Sequence, residues 1–225
     1  MASFKLNMAR IRGCPRAKDL VKLLEEYGLP EKDEFGILKF HGGDEAVNAT
    51  LIRRTLQTVQ QMNPETKDVT SRQVEKVNLY PFMVMPGKEV LEIYAGSAGG
   101  IKEIGEFFGS CLALPTVVEG LELDVVAAIE KLAATTQRFQ LRSIRVSDYS
   151  ANSFMIGPYT PKFADSEHGK DFLAQYAEAV TTASVRFQGP GSRVTVSMTP
   201  KACFSFSCHE DDPPAVRKVL RGLLS

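Results

Sequence analysis

Two neighbouring segments near the end of the chain alternate strictly between apolar and polar residues. The apolar members are Val194, Val196 and Met198 in the first segment, and Ala202, Phe204, Phe206 and Cys208 in the second. A period of two places successive side chains on opposite faces of a β-strand. Between the segments, Thr199, Pro200 and Lys201 have the composition of a turn. The pattern predicts an antiparallel hairpin with one buried face and one polar face.

The second segment also contains Cys203 and Cys208, and His209 follows it directly. On a strand these two cysteines point to opposite faces and lie roughly 16 Å apart, too far for a disulfide or a shared metal ion. We therefore predict Cys208 in the core and Cys203 on the polar face, where a reactive thiol is the alternative. A nucleophile–base pair of Cys203 and His209 is the sharpest enzymatic alternative, and it requires the strand to end early.

Composition limits the classes of partner. The formal net charge is zero, with 44% apolar and 24% charged residues, which is ordinary for a globular chain. Such a chain has no overall field that attracts nucleic acid or anionic membranes, although a local basic patch stays open. No apolar run reaches the roughly 18 residues of a membrane helix, so we expect no membrane contact. Four scattered cysteines favour a reducing, cytoplasmic location.

Several stretches have the apolar spacing or the caps of helices. Residues 17–27 carry a leucine-rich face that ends at Gly28, Asp124 is a predicted helix cap, and Asp212 is a predicted N-cap for a final helix. Asp44 is predicted to open another helix. Its expected buried positions are Val47, Leu51, Ile52, Val59 and Met62. Two further helical stripes fall in residues 101–112 and 172–180.

Strand patterns fill much of the remaining chain. Residues 77–85 and 89–95 read as strands joined by the turn Pro-Gly-Lys. A strand over residues 138–149 has a slip of period near Ser143, which predicts a bulge. Residues 153–163 read as a strand broken by two prolines, so we expect it at the edge of a sheet.

The order of elements suggests an internal repeat. Residues 77–108 and residues 192–224 both read as strand, turn, strand and helix, which is either a duplication or a common supersecondary pattern. We predict a basic N-terminal arm and helix at residues 1–34, a first α+β half at 35–114 and a second at 115–225, in one compact unit. The predicted fold class is α+β, with an antiparallel sheet and helices packed on one face. Over residues 35–225 this order resembles the pseudo-symmetric saddle of TATA-binding-protein-like folds, as a likeness of topology.

The polar face of the predicted sheet is the first candidate site. Its proposed binding residues are Arg142, Arg186, Arg193, Thr195, Ser197 and Ser205. Guanidinium groups and hydroxyls suit phosphate or carboxylate oxygens, whereas a solvated sheet face would have the same composition. Because Phe204 and Phe206 point to the core, aromatic stacking on bases is not expected.

A second, weaker candidate is an anion site at Gly96, Gly99 and Gly100, where a strand leads into a helix. The spacing matches neither common phosphate-binding motif, and ordinary turn chemistry explains these glycines as well. The three histidines, His41, His168 and His209, lack the spacing of metal ligands. We therefore predict no metal, no cofactor and no catalytic residue.

These patterns together predict a non-enzymatic binding or adaptor module, whose polar sheet face contacts a protein or DNA. Zero net charge favours a protein partner or self-association, with DNA as a further possibility. The alternative is a small-ligand-binding protein or enzyme with a site near the Gly96–Gly100 loop, between the two halves. The basic residues of the N-terminal segment could also follow a phosphate backbone as a flexible arm, or form a solvated terminus.

Overall fold

The computed structural model describes residues 1–31, 33–62, 64–65, 67–94, 99–152, 155–189 and 191–224. These residues confirm the α+β class with a large antiparallel sheet. The strands are β1 (Ala2–Arg12), β2 (Phe35–Gly42), β3 (Val47–Met62), β4 (Val69–Met85), β5 (Val90–Ile93), β6 (Val117–Gly120), β7 (Gln137–Asn152), β8 (Met155–Tyr159), β9 (Val180–Gln188), β10 (Arg193–Met198) and β11 (Cys203–Cys208). The helices are α1 (Ala17–Tyr27), α2 (Gly99–Glu106), α3 (Val125–Thr135), α4 (Ser166–Gln175) and α5 (Pro213–Arg221). Within the described ranges, every helix is too short or too polar to cross a bilayer.

The chain divides into two compact units. We call residues 9–119 the N-terminal unit, and residues 1–8 with 120–225 the C-terminal unit. In the N-terminal unit the strand order is β2-β3-β4-β5-β1, and in the C-terminal unit it is β1-β11-β10-β9-β7-β8. The expected boundaries near residues 34 and 114, and the symmetry of two halves, stay predictions.

The helix predicted to begin at Asp44 is wrong, because residues 47–62 form strand β3. It pairs with β2 on one side and with β4 along its whole length on the other. Val47, Ala49 and Leu51 are buried at a period of two. The apolar residues of this stretch fit both the period of two of a strand and the period of 3.6 of a helix. Its Thr, Val and Ile residues favour the pleated strand that the chain forms.

The expected basic arm at the N-terminus is also wrong, because residues 2–12 form β1. From Ala2 to Asn7 it pairs antiparallel with β11. Leu6 and Met8 are fully buried, and they alternate with Lys5 and Asn7 as strand residues do. The helix at residues 17–27 is confirmed, and Gly28 ends it with a φ of 64°.

The C-terminal unit follows the predicted pattern closely. Val194, Val196, Phe204 and Phe206 are buried on one face of the β10–β11 hairpin, so its alternation is confirmed. The bulge near Ser143 is confirmed as a shift of register between β7 and β9. The edge strand β8 lies at the end of the strand order. Helix α3 starts at its predicted cap, where the side chain of Asp124 accepts a hydrogen bond from the N–H of Ala127.

Candidate macromolecule-binding face

Two rows of polar side chains, most of them small, cross five strands of the C-terminal unit. The first row consists of Lys5, Ser205, Ser197, Ser184 and Ser143, each directly opposite the next. The second row consists of Ser3, Ser207, Thr195, Arg186 and Gln140. At about 4.8 Å between strands, each row is roughly 19 Å long. We call these ten residues, together with Arg142, Arg145 and Arg193, the polar sheet face.

The buried apolar residues on the other side of the sheet fix the register of the strands that form this face. The residues that alternate with the polar rows, among them Val185, Val196 and Phe206, are nearly or fully buried. A slip of one residue in any strand would expose this apolar set, so the pairing that aligns the rows is strongly specified. On the core side, the rings of Phe4 and Phe206 stack at 5.4 Å and hold β1 against β11.

The bulge in β7 brings one more guanidinium to the polar sheet face. Leu141 lies opposite Val185 and Ser143 lies opposite Ser184, so Arg142 is the extra residue between them. Its Nη1 donates a 3.5 Å hydrogen bond to Oε1 of Gln140. Gln140 belongs to the second row, so this contact brings the Arg142 side chain to the rows.

The polar sheet face carries cations and no carboxylate. Its charged members are Lys5, Arg142, Arg145, Arg186 and Arg193. No ion pair among the described residues includes any of these five side chains. Nε of Arg186 donates a 3.4 Å hydrogen bond to the hydroxyl of Thr195, which orients the guanidinium along the second row. Positive charge is therefore concentrated on this face in a chain of zero net charge.

Members of this face are accessible. Lys5, Arg145, Arg193 and Ser205 are exposed, and the others are half-buried or exposed. Along β1 the face ends at Asn7, which is buried, with only 6% of its surface exposed. The rows thus form an open surface of hydroxyl and guanidinium groups, which can donate hydrogen bonds to several oxygens of one extended anion.

All six residues predicted for the binding face lie on it. Their role in binding stays a prediction. The six do not include the other seven members of the face, which are Ser3, Lys5, Gln140, Ser143, Arg145, Ser184 and Ser207. For Lys5 a signal was present, because Phe4, Leu6 and Met8 alternate with polar residues from the start of the chain.

Two of the three glycines of the candidate anion site lie in the described part of the chain. Gly96 lies outside the described residues, while Gly99 and Gly100 begin α2. At Gly100 a Cβ would lie 3.1 Å from both Tyr80 Cδ1 and Ile93 Cγ2, so close packing of α2 on the sheet explains this glycine. An anion site here stays a prediction.

The cysteines and histidines do not form a common site. Cys208 is buried, burial raises the pKa of its thiol, and Cys203 is half-buried on the other side of β11. His209 is exposed and lies 3.3 Å from the carboxylate of Asp211. Throughout the part of the chain that the structure describes, no three His, Cys, Asp or Glu side chains converge as metal ligands would. No protein-family model matches this chain, and no curated protein has a significantly similar sequence.

Proposed function

We propose that this chain is a non-enzymatic binding module whose polar sheet face holds the sugar–phosphate backbone of a nucleic acid. The observation that carries the proposal is the segregation of charge: five cations and no carboxylate share one open surface. Phosphate oxygens accept hydrogen bonds from guanidinium, ammonium and hydroxyl groups, and all three are present in the two rows.

The shape of the face also favours a backbone ligand. Most members of the two rows are small serine and threonine side chains, and cations lie at both ends of the rows, at Lys5 and Arg142. Phe204 and Phe206 point into the core, so no ring on β11 can stack on a base. We therefore expect binding that depends on salt and not on base sequence. The saddle-like arrangement of two halves, with helices on one face of the sheet, stays part of this proposal and would suit the same ligand.

Fluorescence anisotropy with a labelled DNA duplex of mixed sequence, titrated at several salt concentrations, tests the proposal. Replacing Arg186 or Arg193 by alanine should weaken binding and lower the slope of log K against log salt by about one for each phosphate that is no longer neutralised. Lys170→Ala and Lys218→Ala are matched controls, because these exposed lysines lie on helices α4 and α5. They should leave the affinity and the slope unchanged.

Two results would count against the proposal. One is the absence of binding at low salt, which would leave a protein partner for the face. The other is an equal loss of affinity in the sheet and helix variants, since this would mean that total charge and not the arranged face attracts the DNA.

A further inference from the structure

The N-terminal unit contains a long two-stranded ribbon. Strands β3 and β4 pair without interruption from Val47–Val84 to Met62–Val69. The neighbouring strand β2 pairs with β3 only as far as Arg53, and β5 begins its pairing with β4 at Phe82. We call residues 54–62 with 69–77 the distal ribbon. It is about 30 Å long, and two strands alone are only marginally stable in water.

One face of this ribbon and of its base carries most of the exposed apolar side chains. Directly opposite residues share a face, and the pairs here are Ile52–Leu79, Arg54–Val77, Leu56–Glu75, Thr58–Gln73, Gln60–Ser71 and Met62–Val69. On this face Leu56, Met62, Val69, Val77 and Leu79 are 50% to 71% exposed. We call this surface the ribbon face.

The apolar surface extends beyond the ribbon at its base. Gly36 lies opposite Ile52, and a Cβ at Gly36 would come 2.7 Å from Leu29 Cδ1. The glycine therefore lets Leu29, which is 46% exposed, lie against the sheet beside Ile52. Base and tip of the ribbon face are thus both apolar, with an uncharged polar middle at Thr58 and Gln73.

Charge on the ribbon face is already neutralised. Its two charged residues are Arg54 and Glu75, and Nε of Arg54 lies 3.4 Å from Oε1 of Glu75. Nη1 of Arg54 also donates to the carbonyl oxygens of Pro30 and Asp33. A charged ligand therefore gains little here, whereas another neutral face with apolar ends would be complementary.

We propose that the ribbon face stacks on the ribbon face of a second copy of this chain, antiparallel, with a two-fold axis near Thr58 and Gln73. This axis places the Met62–Val69 tip of each copy over the Val77–Leu79 base of the other. Each contact between two different residues then occurs twice, once on either side of the axis, as a two-fold interface requires. Two faces of this length bury on the order of 1,000 Å² in total, the lower limit for a specific interface, so the dimer is weak.

Sedimentation velocity of the full chain at about 100 μM tests this inference, since that exceeds the micromolar dissociation constants of weak interfaces. We expect a species of twice the 24.8 kDa chain mass that dissociates on dilution. Leu56→Asp and Val77→Asp should abolish it. Val59→Asp is the matched control, because Val59 lies on the opposite face of the same ribbon and is 36% exposed.

Cross-linking provides a second readout with variants that do not disturb the apolar residues. A short bismaleimide should cross-link two copies of the Thr58→Cys variant, because residue 58 lies near the axis. It should not cross-link two copies of Gln57→Cys, in which the cysteine lies on the other face of the ribbon. A monomer at every concentration overturns the inference, as does a dimer that survives Leu56→Asp. Equal loss in Val59→Asp, or equal cross-linking of the two cysteine variants, overturns the assigned face.

Discussion

The hydroxyl of Ser192 donates a 2.7 Å hydrogen bond to Oδ2 of Asp212 and accepts a 3.1 Å bond from the backbone N–H of His209. Asp212 occupies the predicted N-cap position of α5, but its side chain makes no capping bond to the helix. The carboxylate instead ties the start of α5 to the connection between β9 and β10. A Cβ at Gly191 would lie 2.5 Å from Oδ1 of Asp212, so the carboxylate in this position leaves no room for a side chain at residue 191.

Removing the Ser192 hydroxyl should therefore destabilise the C-terminal unit. Ser192→Ala leaves the Asp212 carboxylate and the His209 N–H without this partner, and we expect a loss of about 1–3 kcal/mol in the free energy of unfolding. Urea denaturation followed by circular dichroism measures it. Ser205→Ala is the control, because Ser205 is exposed on the polar sheet face and should change stability by less than about 0.5 kcal/mol. Equal effects of the two variants would contradict the role assigned to Ser192.

The elements that could be predicted are those in which the spacing of the apolar residues fits one period only. In residues 193–208 the alternation fits a strand only, and the structure confirms the hairpin. In residues 47–62 the apolar residues fit both a helix and a strand, and pairing with β2 and β4 decides for the strand. Local spacing cannot reveal partners that are distant in sequence.

The candidate site shows the same limit. The hairpin residues Thr195, Ser197 and Ser205 could be placed on one face from their alternation alone. The alternation around Lys5 indicates a strand, but it does not say which strand β1 pairs with. Lys5 joins this face because β1 pairs with β11 from the opposite end of the chain. Arg142 was also predicted for this face, and the structure shows that it is the extra residue of the bulge in β7.

A pH-dependent interaction stabilises the start of α4. The carboxylate of Asp165 accepts hydrogen bonds from the N–H groups of Glu167 and His168, each at 3.0 Å, and contacts Nδ1 of His168 at 2.8 Å. The hydrogen bond to Asp165 and its negative charge raise the pKa of His168 above its ordinary value of 6.5. Hydrogen bonds from the backbone and side chain of His168 lower the pKa of Asp165 below 3.8.

The stabilisation from charged His168 should be complete below pH 6.5 and be lost as pH rises through its raised pKa. The stabilisation from the ionised Asp165 carboxylate should be present above pH 3.8 and be lost as pH falls through the lowered pKa of Asp165. NMR titration of the His168 ring checks this: Asp165→Asn should lower its pKa markedly. Asp171→Asn, which removes a weaker charge interaction, should lower it less. An unchanged pKa in Asp165→Asn would show that the pair does not form.

A second stabilising contact joins three elements of the N-terminal unit. The Arg53 guanidinium is 2.6 Å from Glu34 Oε1 and 3.1 Å from Glu103 Oε2, and it lies 4.2 Å above the ring of Phe35. The Arg53 and Glu103 side chains are only 13% and 24% exposed. Arg53→Met should leave the Glu103 side chain without its ion-pair partner at a position of low exposure, at a cost of about 1–3 kcal/mol, which is less than a fully buried pair would lose.

The double variant Arg53→Met, Glu103→Leu separates the ion pair from packing. Because it removes both charges, it should be more stable than Arg53→Met alone when both are unfolded in urea. If Arg53→Met and the double variant lose the same stability, the cost arises from weaker packing on Phe35 and not from an uncompensated carboxylate.

The thiol of Cys14 should react slowly although it lines a pocket of about 540 Å³ together with Arg16 and Lys88. Burial raises its pKa to about 12, so the thiolate, the reactive form, is scarce at neutral pH. At pH 8 we expect alkylation of Cys14 by iodoacetamide to be on the order of 10³-fold slower in the folded chain than in urea, as the thiolate fractions require. Peptide mass spectrometry over time measures the rate at each cysteine. Folded and unfolded rates of similar size would show that the environment of Cys14 does not suppress its ionisation, and the open pocket would then make it a usable labelling position.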